Sequence, residues 1–150
     1  MNDFYVGARL TYLGPKSSLE TDMYSVDWGE CQIPNRVITG ETFVFAAELT
    51  NSSGVSWPAN GPTQVNLAYH WLDSNGDRVE TEERRTDLPR DVPPGRKIEV
   101  EQSVLALPEP GRYTLVLDLV RERVSWFSQR RSGSPCNAEV EIVRGTPVGS

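Results

Sequence analysis

Few side chains in this sequence are of a kind that does chemistry. His70 is the only histidine, so any histidine base for a hydroxyl or thiol nucleophile would have to be this one. It sits inside an alternating apolar run that reads as a strand. The two cysteines, Cys31 and Cys136, lie more than a hundred positions apart. A four-cysteine metal site is therefore excluded, and one imidazole leaves a mixed site short of ligands. Asp87 and Asp91 flank Leu88-Pro89-Arg90, but aspartates in proline-rich turns more often cap their own backbone than act as acid or base. No glycine-rich phosphate loop joins a strand to a helix, and no calcium-loop spacing of acids occurs. The expectation is a non-enzymatic chain with no cofactor and no metal.

The aromatic residues say more. Trp28, Trp57, Trp71 and Trp126 are joined by Tyr12, Tyr24, Tyr69 and Phe127. Trp57 opens the turn-rich segment Trp57-Pro58-Ala-Asn-Gly-Pro62, and Trp126 and Phe127 lie in Ser125-Trp126-Phe127-Ser128. Flat rings with a polar edge suit sugars, whose C–H faces pack on the ring while hydroxyls stay wet. The other reading of these rings is that they close the open ends of the fold. His70, Arg84 and Arg85 could form a polar face with Asn66 and Asp118, able to bond hydroxyls or a carboxylate, although an ordinary solvated sheet face has the same composition. The candidate glycan-binding set is Trp126, Phe127, His70, Arg84, Arg85 and Trp57.

These residues need a scaffold, and the chain reads as one all-β domain. At 150 residues, with 37% apolar and 24% charged side chains, it fits one globular core. Phe43, Phe45, Ala47 and Leu49 alternate within 41–50; Val65, Leu67, Tyr69 and Trp71 within 64–72; Ile98, Val100, Gln102 and Val104 within 96–105. Tyr113, Leu115, Leu117 and Leu119 alternate within 112–120, and Ala138, Val140 and Ile142 within 137–143. This period of two marks strands with one apolar face. Asp73-Ser-Asn-Gly76, Pro93-Pro94-Gly95 and Pro108-Glu-Pro-Gly111 are turns between them, and 77–82 is a short exposed hairpin partner. Weaker strand signals lie at 3–12 and 22–27. The fold class is thus all-β, an immunoglobulin-like antiparallel β-sandwich of 7–9 strands. Trp71 fills the space between the sheets, and Tyr113, following Pro110-Gly111-Arg112, suits a tyrosine corner. Residues 1–144 form the domain, with 1–40 as a strand-plus-loop extension and 145–150 as a flexible tail.

The formal charge is −6. Arg84-Arg85 and Arg130-Arg131 make small basic patches that Glu82, Glu83 and Glu122 dilute, so no nucleic-acid partner is expected. No apolar run is long enough for direct membrane insertion. Met1-Asn2-Asp3-Phe4 lacks the basic and apolar regions of a secretory signal, which favours a cytoplasmic or membrane-associated location. Cys31 and Cys136 could form a disulfide if the first and last strands lie side by side, worth about 4–5 kcal/mol in the chain-entropy model, or they could be two unrelated thiols.

Asn51-Ser-Ser-Gly-Val-Ser-Trp57, Tyr69-His70-Trp71-Leu72-Asp73, Arg85-Thr86-Asp87-Leu88-Pro89, Val92-Pro93-Pro94-Gly95, Pro110-Gly111-Arg112-Tyr113 and Asp118-Leu-Val-Arg-Glu122 with Val124-Ser125-Trp126-Phe127 form an ordered series. The series, covering about 41–143, resembles an accessory β-sandwich of bacterial cell-surface polysaccharide assembly proteins, attached to glycosyltransferases and sugar-modifying methyltransferases. In architecture it is also similar to the carbohydrate-binding C-terminal domain of Wzt-type O-antigen ABC transporters. The resemblance implies a non-catalytic module that binds a polysaccharide, or is tied to a catalytic or transport domain of the same or an associated protein. The alternative is an Ig-like interaction or spacer domain that docks a catalytic partner, or a second copy, through 77–82 or the aromatic loop.

Overall fold

The computed structural model describes residues 23–130 and 136–145. Its strands are β1 (Val26–Cys31), β2 (Arg36–Ile38), β3 (Thr42–Asn51), β4 (Val65–Leu72), β5 (Thr86–Asp87), β6 (Lys97–Leu105), β7 (Gly111–Arg121), β8 (Ser125–Trp126) and β9 (Cys136–Val143), with a single helical turn, α1 (Phe127–Arg130), between β8 and β9. One sheet has the order β1-β3-β6. The other runs β2-β9-β7-β4-β5, with β8 joined to β7 beyond the end of β9. Pairings are antiparallel except β2 on β9, which is parallel. The domain is an immunoglobulin-like β-sandwich.

The alternation in the sequence becomes the inner faces. Phe45, Ala47 and Leu49 of β3 and Ile98, Val100 and Val104 of β6 meet Val65, Leu67, Tyr69 and Trp71 of β4 and Leu115, Leu117 and Leu119 of β7, all buried in one core. Trp71 is fully covered and donates from Nε1 to the Leu105 carbonyl across the sheets at 3.3 Å. The Tyr69 hydroxyl accepts from the Leu105 N–H at 3.2 Å. Two tryptophan- and tyrosine-borne hydrogen bonds thus register the sheets that their rings hold together. Tyr113 makes the expected corner, donating to the Glu109 carbonyl at 3.1 Å. Glycine is required just before it: Gly111 has φ 154°, and a Cβ there would meet the Tyr113 ring at 3.3 Å.

Asn51 ends β3 inside the protein and organises the next loop. Its amide donates to the carbonyls of Val55 (2.9 Å) and Val92 (2.8 Å), and its oxygen accepts from the N–H (2.9 Å) and hydroxyl (2.6 Å) of Ser53. All four bonding positions of this buried amide are filled. The loop delivers Trp57 into the core, where Nε1 donates to the Met23 carbonyl at 2.8 Å.

The structure departs from the expected elements in two places. Segment 77–82 begins as a hairpin partner but forms no strand: the Asp73 N–H donates to the Asp77 carbonyl, the Val79 N–H donates to the Trp71 carbonyl, and pairing stops after the single Leu72–Arg78 bridge. β4 instead pairs further on with β5. Residues 26–31 and 36–38 are integral members of the two sheets, so the part of 1–40 that is described is sandwich rather than extension. The strand signal at 3–12, Tyr12 and Arg131, and residues 146–150 of the tail, lie outside the described residues.

Candidate functional site

The outer face of the larger sheet carries a continuous cluster of planar polar and aromatic side chains. Register builds it: Asp87 of β5 lies opposite Asn66 of β4, Asn66 opposite Val120 of β7, and Val120 opposite Trp126 of β8. Residues paired directly across a sheet share a face. Along this row Gln64 Nε2 donates to Asp87 Oδ1 (2.9 Å) and Asn66 Oδ1 (2.8 Å), and Asn66 Nδ2 donates to Glu122 Oε2 (2.8 Å). Arg85 Nη1 donates to both Glu122 oxygens, at 2.9 and 2.7 Å. The Arg85 guanidinium then lies over the Trp126 ring at 5.0 Å. Arg78, paired with Glu83 at 2.7 Å, stands 5.9 Å from the same ring. His70 meets the ring at right angles, centroids 6.4 Å apart. The half-buried indole of Trp126 is the centre of the cluster.

Beneath it, Asp118 anchors the turn that carries Trp126. β9 pairs with β7 as far as Leu117, and β8 takes over at Val120. At this break the Leu119 N–H donates to Asp118 Oδ1 at 2.8 Å. The same carboxylate accepts the Ser128 N–H at 3.3 Å and the Ser128 hydroxyl at 2.5 Å. One buried side chain, only 3% exposed, thus fills the place of a missing strand and fixes α1 to the sheet. Burial pushes the Asp118 carboxyl above its ordinary value, opposed by the hydrogen bonds from Ser128 and Leu119 and by His70. His70 is held below its ordinary value, first by burial and then by the charge of Arg78, with Asp118 opposing. Its Nδ1 is buried without a hydrogen-bond partner, consistent with a neutral imidazole.

Of the residues singled out from sequence, the structure brings together Trp126, His70 and Arg85, with Asn66 and Asp118 on the same face. Three are elsewhere. Trp57 is fully buried, and Phe127 is 2% exposed, packed edge-on against Tyr24 (5.0 Å) and Trp57 (5.5 Å). Neither offers a ligand a face. Arg84 points away from its neighbour: Nη1 reaches Ser103 Oγ at 3.1 Å and Thr42 Oγ1 at 3.4 Å, on the opposite sheet. Sequence reasoning missed Arg78, Gln64 and Glu122 as members of the cluster. Glu122 had the one available signal, lying just past β7, where it pairs with the arginine of the adjacent edge. Asp91 does not cap its own turn: it accepts the backbone N–H of Ala59, a residue distant in sequence, at 2.8 Å. Among the described residues no group of three or more His, Cys, Asp or Glu could hold a metal ion, and no helix is long and apolar enough to cross a membrane.

No family model matches the chain, and no curated protein matches its sequence. Solved structures do share its architecture. The C-terminal domain of Wzt aligns at 9% identity with a TM-score of 0.50, covering 78% of this chain and 68% of that one. The CARDB domain of a Pyrococcus furiosus protein aligns at 14% identity and TM-score 0.47, covering 79% and 94%. A β-glucosidase from Listeria innocua in complex with laminaribiose is matched over 79% of this chain but only 16% of its own length, at 12% identity and TM-score 0.45. The likeness is one of fold.

Proposed function

We propose that this domain is a non-catalytic glycan-binding module, serving bacterial cell-envelope polysaccharide biosynthesis or export, and that it holds the sugar on the outer face of the larger sheet. The observation that carries the reading is the Trp126 cluster. A half-buried indole stands beside a row of amides, carboxylates and guanidinium groups already aligned by mutual hydrogen bonds. Such a row can exchange internal bonds for bonds to sugar hydroxyls with little reorganisation, while the indole packs against C–H groups. Arg85, exposed and held by Glu122 and the ring, passes to a sugar oxygen as the pyranose takes its place on the indole. The resemblance of the motif series to polysaccharide-assembly modules agrees with this reading, as does the fold shared with the Wzt domain. The one histidine meets the Trp126 ring edge-on, and the Ser128 hydroxyl donates to the buried Asp118 carboxylate that anchors the turn. A shallow, open site of this kind binds in about the micromolar to millimolar range.

The test is a screen of the purified domain on an array of bacterial surface polysaccharides beside Trp126→Ala. Binding that disappears in the variant at an unchanged thermal midpoint supports the module. Absence of binding across the array overturns it and moves the search to a docked catalytic domain or a second copy.

A further inference from the structure

Cys31 and Cys136 belong to different sheets. Cys31 ends β1, which is paired with β3, while Cys136 opens β9, which is paired with β7. The strands are therefore not side by side within a sheet; they belong to the two opposite sheets of the sandwich. Both side chains are half-buried and pack against the shared core, and their Sγ atoms are 3.0 Å apart. No other cysteine exists in the chain, so neither thiol has a competing internal partner. β1 is an edge strand whose only sheet partner among the described residues is β3, with an irregularity between Trp28 and Cys31.

We propose that Cys31 and Cys136 are a disulfide-forming pair that joins the two sheets within one molecule. The chemistry needs an oxidant of the disulfide class, such as oxidised glutathione. The Cys136 thiolate attacks one sulfur of the reagent and expels one thiol, leaving a mixed disulfide on Cys136. The Cys31 sulfur, giving up its proton, attacks Cys136 Sγ and expels the second thiol. The protein loses two protons and two electrons, and the reagent is reduced to two thiols. The pair is suited to this order. A hydrogen bond shared with Cys31 holds the Cys136 thiol below its ordinary value against the effect of burial, while the same bond and burial push Cys31 up. Cys136 is the group that ionises first and attacks first. A bond of about 2.05 Å requires the sulfurs to close by roughly 1 Å from their present contact, a change within the reach of two χ1 rotations.

The proposal is tested on the whole chain, incubated with reduced or with oxidised glutathione and then unfolded and treated with a maleimide. The reduced sample takes two maleimides. The oxidised sample is expected to take none, to weigh two hydrogens less, to remain monomeric without reductant, and to melt on the order of 10 °C higher than the reduced sample, because the closed loop is long. Cys31→Ser, nearly the same size, should end as a stable glutathione adduct on Cys136 with no such rise in midpoint. Two maleimides after oxidation, glutathione on both cysteines, covalent dimers, or an unchanged or lower midpoint would each overturn the proposal. None of these readouts depends on glycan binding.

Discussion

Asp118 offers the sharpest test of how this sheet builds its outer-face cluster. Its carboxylate accepts from two backbone N–H groups and one hydroxyl where β7 passes from β9 to β8. Asp118→Ala removes both acceptor oxygens and with them three hydrogen bonds, and strands the buried Leu119 N–H and the Ser128 N–H. At about 1–3 kcal/mol for each unsatisfied donor, offset in part by no longer burying a charge, the expected loss is about 2–4 kcal/mol, or roughly 5–15 °C in midpoint. Asp118→Asn behaves differently. Its oxygen keeps both N–H groups, its amide donates to the Ser128 oxygen once that hydroxyl turns, and the charge that burial opposes is gone. Asn is expected within about 1 kcal/mol of wild type at pH 7. The pH dependence separates the two effects. A carboxyl raised in the fold contributes stability that is present below its unfolded value of 3.8 and lost as pH rises through the folded value. Wild type should therefore lose stability on this limb and Asp118→Asn should not. The assay is urea unfolding from pH 4 to pH 8 for the three proteins, with binding by Trp126 measured alongside. Equal losses for Asn and Ala at pH 7 would refute the reasoning, since they would show that the negative charge itself holds α1.

Three other outcomes follow from the same contacts. His70, held below its ordinary value, contributes stability present above about pH 6.5 and lost as pH falls through its folded value; His70→Gln in the Asp118→Asn background should flatten that acid limb in a thermal-midpoint series. Asn51→Ala should cost about 3 kcal/mol by urea unfolding, and the isosteric Asn51→Asp at least as much, because it turns a buried acceptor toward the carbonyls of Val55 and Val92. Adjacent residues should split cleanly: Phe127→Ala empties a packed site and costs about 3–5 kcal/mol, whereas Trp126→Ala, on the outer face, should cost under about 1.5 kcal/mol while removing glycan binding.

The apolar alternation in 41–50, 96–105, 112–120 and 137–143 states the buried faces directly, because a strand packed on one side repeats every second residue. Trp71 and Tyr113 were equally legible, one from its place in such a run and the other from the Pro-Gly that precedes it. What the sequence leaves open is which way neighbours turn where alternation is brief. Arg84 and Arg85 diverge to opposite sheets, and Trp126 and Phe127 part at the junction of a two-residue strand with a helical turn. A pair of adjacent identical or aromatic residues carries no periodicity to orient it. Segment 77–82 starts as a hairpin partner across the Asp73 turn and leaves β4 after Val79, a parting that no change in its composition marks. Asn66, His70 and Asp118 were assigned to one face correctly, since their flanking apolar residues fix the parity. That Asp118 spans a break between two partner strands depends on where β9 ends, which only the assembled sheet defines.

A sugar resting on Trp126 would be reported within one spectrum by the indole N–H signals of the four tryptophans. A nitrogen–proton correlation spectrum of the ¹⁵N-labelled protein, titrated with an oligosaccharide that scores on the array, is expected to shift the Trp126 indole signal with saturation. The Trp57 and Trp71 signals, whose Nε1 groups are bound to the Met23 and Leu105 carbonyls, should stay in place. Movement of the buried pair with a stationary Trp126 signal would contradict the account and locate binding elsewhere on the sandwich.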